Sequence, residues 1–202
     1  VANQFVTLPE LKSWSGLTGS ANDADLTRAI EAASQWIEGY TGRSFVLDAA
    51  DVTKYFYANP DQTIDLTDLA TVASIAIDTA GDRTYGTTLA ASEYELLPVN
   101  GPRYDRVRIW PTSSRSFQLN PARRVRVVGR FGYVESGAVP PAVKQAALIL
   151  SLRYYERRNA PFGILSATDI GQFERLSAND PDVLALLKPY LSSSPAQNWV
   201  LV

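Results

Sequence analysis

The sequence predicts an α+β fold: a small helical-bundle core, built from N-terminal helices and a long helix over 141–158, carrying an antiparallel β-rich insertion. Three observations predict it. Apolar residues recur at helical spacing near each end, the period falls to two between about 50 and 131, and helices both precede and follow the strand-rich stretch. The chain divides accordingly into an N-terminal helical part (1–48), the insertion (49–131), the central long helix (132–166) and a C-terminal arm with a short helix (167–202).

The first element is a short helix over 8–17, opened by Pro9 and ended near Gly16. The next is clearer. Leu26, Ala29, Ile30, Ala33, Trp36, Ile37 and Tyr40 line one face of a helix. Asn22 or Asp23 can cap it, Asp23 and Asp25 suit its positive end, and Gly42 sits where a left-handed residue ends a helix.

Strands are expected at Val52–Tyr57, Thr63–Leu66, Val72–Ile77, Tyr94–Leu97, Val107–Trp110 and Arg124–Phe131, with turns at Asn59-Pro60, Gly81-Asp82 and Asn100-Gly101. In Arg124-Val125-Arg126-Val127 the valines take one face and the arginines the other, and Arg106-Val107-Arg108-Ile109 repeats the pattern. The sheet therefore has one buried face and one basic face. After Pro140-Pro141, Val143, Ala146, Ala147, Leu150 and Tyr154 mark the long helix, and Leu148, Leu152 and Tyr155 widen its apolar surface. Asn159–Gly163 reads as a loop, and Asp180 caps a last helix over 181–191.

The 202 residues contain no cysteine and no histidine. Thiol chemistry, thiolate metal sites and every mechanism that uses histidine as a base are thereby excluded. No apolar run approaches the roughly 18 residues of a membrane span. Gly39-Tyr40-Thr41-Gly42-Arg43-Ser44 has glycines but follows a helix and lacks a Gly-Lys-Ser/Thr ending, so it reads as a helix cap and not a phosphate loop. Asp65 with Asp68, or Glu93 with Glu95, offer paired carboxylates without an evident apolar pocket to separate their pKa values. Asp61, Asp65 and Asp68 do not fit a calcium loop. In Tyr55-Phe56-Tyr57, the tyrosines share one strand face, fitting either core packing or a stacking platform. No catalytic residue, metal or cofactor is expected.

Net charge is −2, yet residues 20–95 hold 13 acidic and 4 basic side chains while 103–158 hold 3 acidic and 12 basic. Arg106, Arg108, Arg123, Arg124, Arg126 and Arg130 are the candidates for a subunit interface or for contact with DNA phosphates; a solvated sheet face is the bland reading. A chain basic on one side and acidic on another suits head-to-tail docking.

Two stretches resemble the head–tail connector (adaptor) proteins of long-tailed bacteriophages. Residues 8–45 run LPELKSWSGLTGSANDADLTRAIEAASQWIEGYTGRSF, a short helix, an Asp-rich cap and an Ala-rich helix, then Ile-Glu-x-Tyr-Thr-Gly-Arg-x-Phe. Residues 131–163, FGYVESGAVPPAVKQAALILSLRYYERRNAPFG, are similar to that family's second signature. Tyr40, Thr41, Gly42, Arg43, Phe45 and Pro140 carry the resemblance. It implies a non-catalytic virion neck protein, assembled in the host cytoplasm as a ring of about twelve copies that extends the DNA channel. It implies the portal, the stopper or tail proteins and further copies of the chain as partners, with genomic DNA passing through and no membrane. A terminal arm that grips a neighbour is implied too, with Trp199, Val200 and Leu201 as its candidates. Alternatives are another neck component such as a stopper, or a carbohydrate-binding or carbohydrate-active protein using Asp65, Asp68 and the aromatic strand.

Overall fold

The computed structural model describes residues 3–101, 103–117, 124–134, 138–157, 164–167, 173–175 and 180–192. Two compact units emerge, one drawn from the segments up to Thr41 and from Val139 to Leu191, the other from Gly42 to Ala138. The α+β class stands, with four α-helices and a six-stranded antiparallel sheet among the described residues.

In the helical unit, α1 (Leu8–Ser15) opens on a capping box. Glu10 N donates to Thr7 Oγ1, and Thr7 N donates to Glu10 Oε2 at 2.7 Å. Gly16, at φ 71°, ends the helix as its position in the sequence requires. α2 (Asp23–Thr41) buries Leu26, Ala29, Ile30, Ala33 and Ile37, the stripe its periodicity defines. α3 (Pro141–Arg157) buries Val143, Ala146, Ala147 and Leu150, and packs on α2 and on α4 (Pro181–Leu187). Asp180 caps α4, and a 3₁₀ turn over Lys188–Tyr190 continues it. Lys144 bridges to Glu10 at 2.7 Å and Arg153 to Asp180 at 3.2 Å.

The sheet unit contains β1 (Val52–Phe56), β2 (Thr63–Ile77), β3 (Thr87–Thr88), β4 (Tyr94–Leu97), β5 (Tyr104–Ile109) and β6 (Val125–Phe131). The order is β1-β6-β2-β5-β4, with β3 beside the end of β2. The alternation in β6 holds in space: Val125, Val127 and Phe131 are buried with Ile64, Ile75, Ile77 and Val107, while Arg124, Arg126 and Arg130 lie only part-buried. One expectation changes. The segments 63–66 and 72–77 form a single 15-residue strand, because the polar Thr67-Asp68 between them is a bulged stretch and not a turn. A short hairpin, β7 (Ile164–Ala167) with β8 (Phe173–Arg175), pairs within the span read as the end of the long-helix segment and the start of the arm. The loop expected over 159–163 lies outside the described residues.

Candidate assembly interface

The signature around Gly42 ends one helix and enters the sheet unit. Tyr40 stacks on Trp36 with centroids 5.1 Å apart and planes 5° apart. Thr41 Oγ1 donates to Ile37 O at 2.7 Å, closing the last turn of α2. Gly42, at φ 66°, takes the left-handed conformation that a side chain would resist. Pro140, buried, presents the carbonyl that accepts Lys144 N at the start of α3.

Arg43 and Phe45 turn inward. Phe45 is fully buried, its ring 5.5 Å from that of Tyr133. Arg43 donates to Asp68 Oδ1, and Arg103 Nε reaches the same oxygen at 3.2 Å. Both guanidinium groups also approach the Tyr133 ring, Arg103 at 3.3 Å and Arg43 at 5.1 Å from its centroid. Main-chain bonds close the knot: Gly132 N donates to Asp68 O at 2.8 Å and Tyr133 N to Ser44 O at 2.7 Å. The GRSF turn of the first signature and the FGY turn of the second thus meet at the bulge of β2. Burial raises the Asp68 pKa above the ordinary aspartate value, although the charges of Arg43 and Arg103 pull it down. Close by, Lys54 Nζ lies 4.1 Å from the centroid of Phe131 and donates to Thr67 Oγ1 at 3.0 Å. Burial pushes the Lys54 pKa down, against the pull of Asp48 and Asp68.

The paired carboxylates are tied into the fold. Asp65 accepts from Arg106 Nε at 3.0 Å and from Asn59 Nδ2 at 3.0 Å, while Asp68 serves the knot. Glu95 accepts from Arg108 at 2.5 Å and Glu93 from Arg115 at 3.2 Å. Among the described residues, no group of three or more His, Cys, Asp or Glu side chains could hold a metal ion. No described helix is long and apolar enough to cross a membrane. A groove of about 360 Å³ beside Asp25, Arg28, Tyr154 and Tyr155 on α2 and α3 brings together no nucleophile and base.

The candidate arginines separate into two groups. Arg106 and Arg108 sit on β5 in ion pairs with the acidic strands on either side of it. The acidic and basic stretches of the chain therefore meet inside one sheet, and the unit from Gly42 to Ala138 holds 11 acidic and 11 basic side chains. At these pairs the split along the chain is bridged within one unit. Arg124 and Arg126, on and beside β6, meet rings and, among the described residues, no carboxylate: Arg124 Cζ lies 5.4 Å from the Tyr57 centroid and Arg126 Cζ 5.3 Å from that of Tyr85. Arg126 Nε is buried and takes no acceptor among the described residues. Arg130 Nε donates to Asp48 O at 2.7 Å. Tyr55 and Tyr57 are 50% and 56% exposed, and Phe56 faces the core. Together they form a tyrosine–arginine face, the residue types enriched in protein interfaces. Arg123, Trp199, Val200 and Leu201 lie outside the described residues.

Sequence reasoning held Arg103 only as one arginine of the basic stretch and Tyr133 only as part of the second signature, and it weighed Asp68 only with other carboxylates; it did not bring the three together. The available signal was a polar Thr67-Asp68 step inside an apolar alternation, together with two arginines in turns.

The comparisons with known proteins agree with the resemblance read from the sequence. Residues 5–84 match the family model described as phage gp6-like head-tail connector protein, and over that span, through α1, α2, β1 and β2, this chain has the pattern of a head–tail connector. The second signature lies beyond the match. No curated protein matches.

Among solved structures, a chain in the neck of an empty GTA particle computed with C6 symmetry aligns at a TM-score of 0.61 and 20% identity, over 94% of this chain and 91% of that one. A chain in the virion of the native gene transfer agent particle gives 0.58 at 22% identity, over 94% and 91%. One in the neck of the native GTA particle computed with C12 symmetry gives 0.54 at 21% identity, over 96% of each. These likenesses show a fold shared along nearly the whole chain.

Proposed function

We propose that this protein is a structural subunit of a virion neck: a head-to-tail adaptor that docks on the portal, assembles as a ring that extends the DNA channel, and offers a platform to the stopper or tail. The observation that carries the reading is the head-tail connector match over residues 5–84, on a chain whose fold follows neck-particle chains over 94–96% of its length. The symmetries in which those necks were computed, sixfold and twelvefold, support a ring.

The protein acts by contact and not by catalysis. It has no histidine or cysteine, and the carboxylates that come nearest to an acid–base pair, Asp65 and Asp68, are each held by arginines. Direct imaging of virion necks, together with native mass measurement of assemblies formed with the portal, tests the reading. A ring of this chain against the portal is the expected result. Its absence from the particle would overturn the proposal, whereas a monomer in dilute solution would not, since such rings can form only on their platform. Co-purification with the portal separates an adaptor from a stopper.

A further inference from the structure

The sheet has two open ends. Its order leaves β1 and β4 each paired on one side only, and no described residue bonds the outward-facing backbone of either strand. An unpaired strand row is a template for another strand. On β1, Val52 and Tyr55 are exposed, and Tyr57 follows them. Its one charge, Lys54, folds back over Phe131 and onto Thr67 and so does not guard the edge. β1 and β4 are matched in length, at five and four residues.

Both edges carry incomplete versions of the same two layers. On the core side, Phe56 of β1 and Tyr94 and Leu96 of β4 pack against the core yet are only partly buried. On the other side, strand register places Tyr55 across from Arg126, and Glu95 across from Arg108. There, among the described residues, the cations Arg124 and Arg126 lack carboxylate partners, and Glu95 engages Arg108 through Oε2 and leaves Oε1 open.

We infer that β1 of one copy pairs with β4 of a second copy, so that the two sheets join edge to edge. This rests on the ring reading proposed above and names the contact that builds it. Because side chains alternate along a strand, the join sets core side against core side, Phe56 beside Tyr94 and Leu96. On the opposite side it brings Glu95 toward the row that holds Arg126. The contact is heterologous: each copy keeps one edge for the next, and the series closes where the rotation allows. Pairing of β1 with β1 would instead stop at two copies and bring the Arg124–Arg126 rows together.

A chain without cysteine makes the test clean. The full-length Tyr55→Cys/Glu95→Cys variant, assembled on the portal, is treated with a short bismaleimide whose arm tolerates a shift of a residue or two. The expected result is a covalent ladder extending beyond two copies on a denaturing gel, with each single variant remaining monomeric. Should loss of Glu95 impair folding, Thr53→Cys with Leu97→Cys probes the same edges on the same face. A cross-linked dimer from Tyr55→Cys alone would overturn the inference in favour of self-pairing. Normal rings that give no ladder with either pair would overturn the edge contact and leave the ring standing. Failure of the unmodified chain to enter any ring or particle would overturn the ring itself, and this contact with it.

Discussion

Arg43 and Asp68, 25 residues apart, form an ion pair closed almost entirely to solvent, with 9% and 4% of their side chains exposed. Asp68 holds its place at φ 32°, a backbone conformation that few non-glycine residues adopt. The pair joins the turn after α2 to the bulge of β2, and Arg103 and Tyr133 complete it. Asp68 Oδ2 has no hydrogen-bond partner among the described residues, so the arginines on Oδ1 carry its compensation.

Removing Arg43 leaves that carboxylate with one guanidinium. Arg43→Ala is expected to destabilise the fold by about 3 kcal/mol, the lower end for a broken buried pair, because Arg103 remains. Arg43→Lys should recover only part of the loss, since an ammonium lacks the planar fork. Denaturant unfolding of the three proteins checks this; a loss below about 1 kcal/mol would place the pair among surface bridges.

Two glycines should respond oppositely to alanine. A Cβ at Gly129 would stand 2.1 Å from Thr71 O, in the middle of the β2–β6 ladder, where no rotamer change relieves it. Gly129→Ala should therefore lower the melting temperature sharply. Gly39, within α2, has nothing within 4 Å of its added Cβ. Gly39→Ala should raise stability by roughly 0.5–1 kcal/mol through helix propensity. Thermal unfolding of both variants decides.

Acid should loosen the start of α1. The hydrogen bond from Lys144, with that from Thr7 N, holds the Glu10 pKa at about 2 in place of 4.5. A carboxylate lowered in the folded state contributes stability that is complete above its unfolded pKa and fades as pH falls from about 4.5 toward 2. The groups are 40% and 43% exposed, so screening keeps the effect to about 0.2–1 kcal/mol. Glu10→Gln should flatten this part of the stability–pH curve while changing little below pH 2, as urea titrations across the window would show.

Reversing Arg124 and Arg126 to glutamate should impair assembly of the proposed ring more than folding, because Arg124 lies against the exposed Tyr57, Arg126 lies across from the exposed Tyr55, and neither pairs with a carboxylate among the described residues. Sedimentation of assemblies, alongside circular dichroism of the free chain, separates the two effects. Normal assembly at physiological salt would show that this face is only solvated. The matching reversal of Arg106 and Arg108 should cost more in folding, since it breaks the pairs with Asp65 and Glu95.

Local physics made the helices readable. Apolar stripes set α2 and α3, Asp180 caps α4, and Gly16 and Gly42 end their helices in the left-handed conformation that their positions demanded. Strict alternation placed Val125 and Val127 inside. The bulge in β2 was not readable, because a polar Thr67-Asp68 step looks like a turn until Arg43 and Arg103, distant in sequence, neutralise it. The β7–β8 hairpin was missed as well, within the span read as long helix and arm.

By itself, then, the sequence determined the α+β class, the helical stripes, the inward face of the sheet and the resemblance to head–tail connectors, all of which depend on neighbours a few residues apart. Only the tertiary structure decided where the charges go. The acidic and basic stretches looked like two opposed surfaces, but β5 lies between β2 and β4, so Arg106 and Arg108 meet Asp65 and Glu95 within one chain. Charge pairing falls off within angstroms, and strand order, not chain order, sets those distances. Beside the open edge of β1 that pairing leaves Tyr55 and Tyr57 exposed, next to the part-buried Arg124 and Arg126.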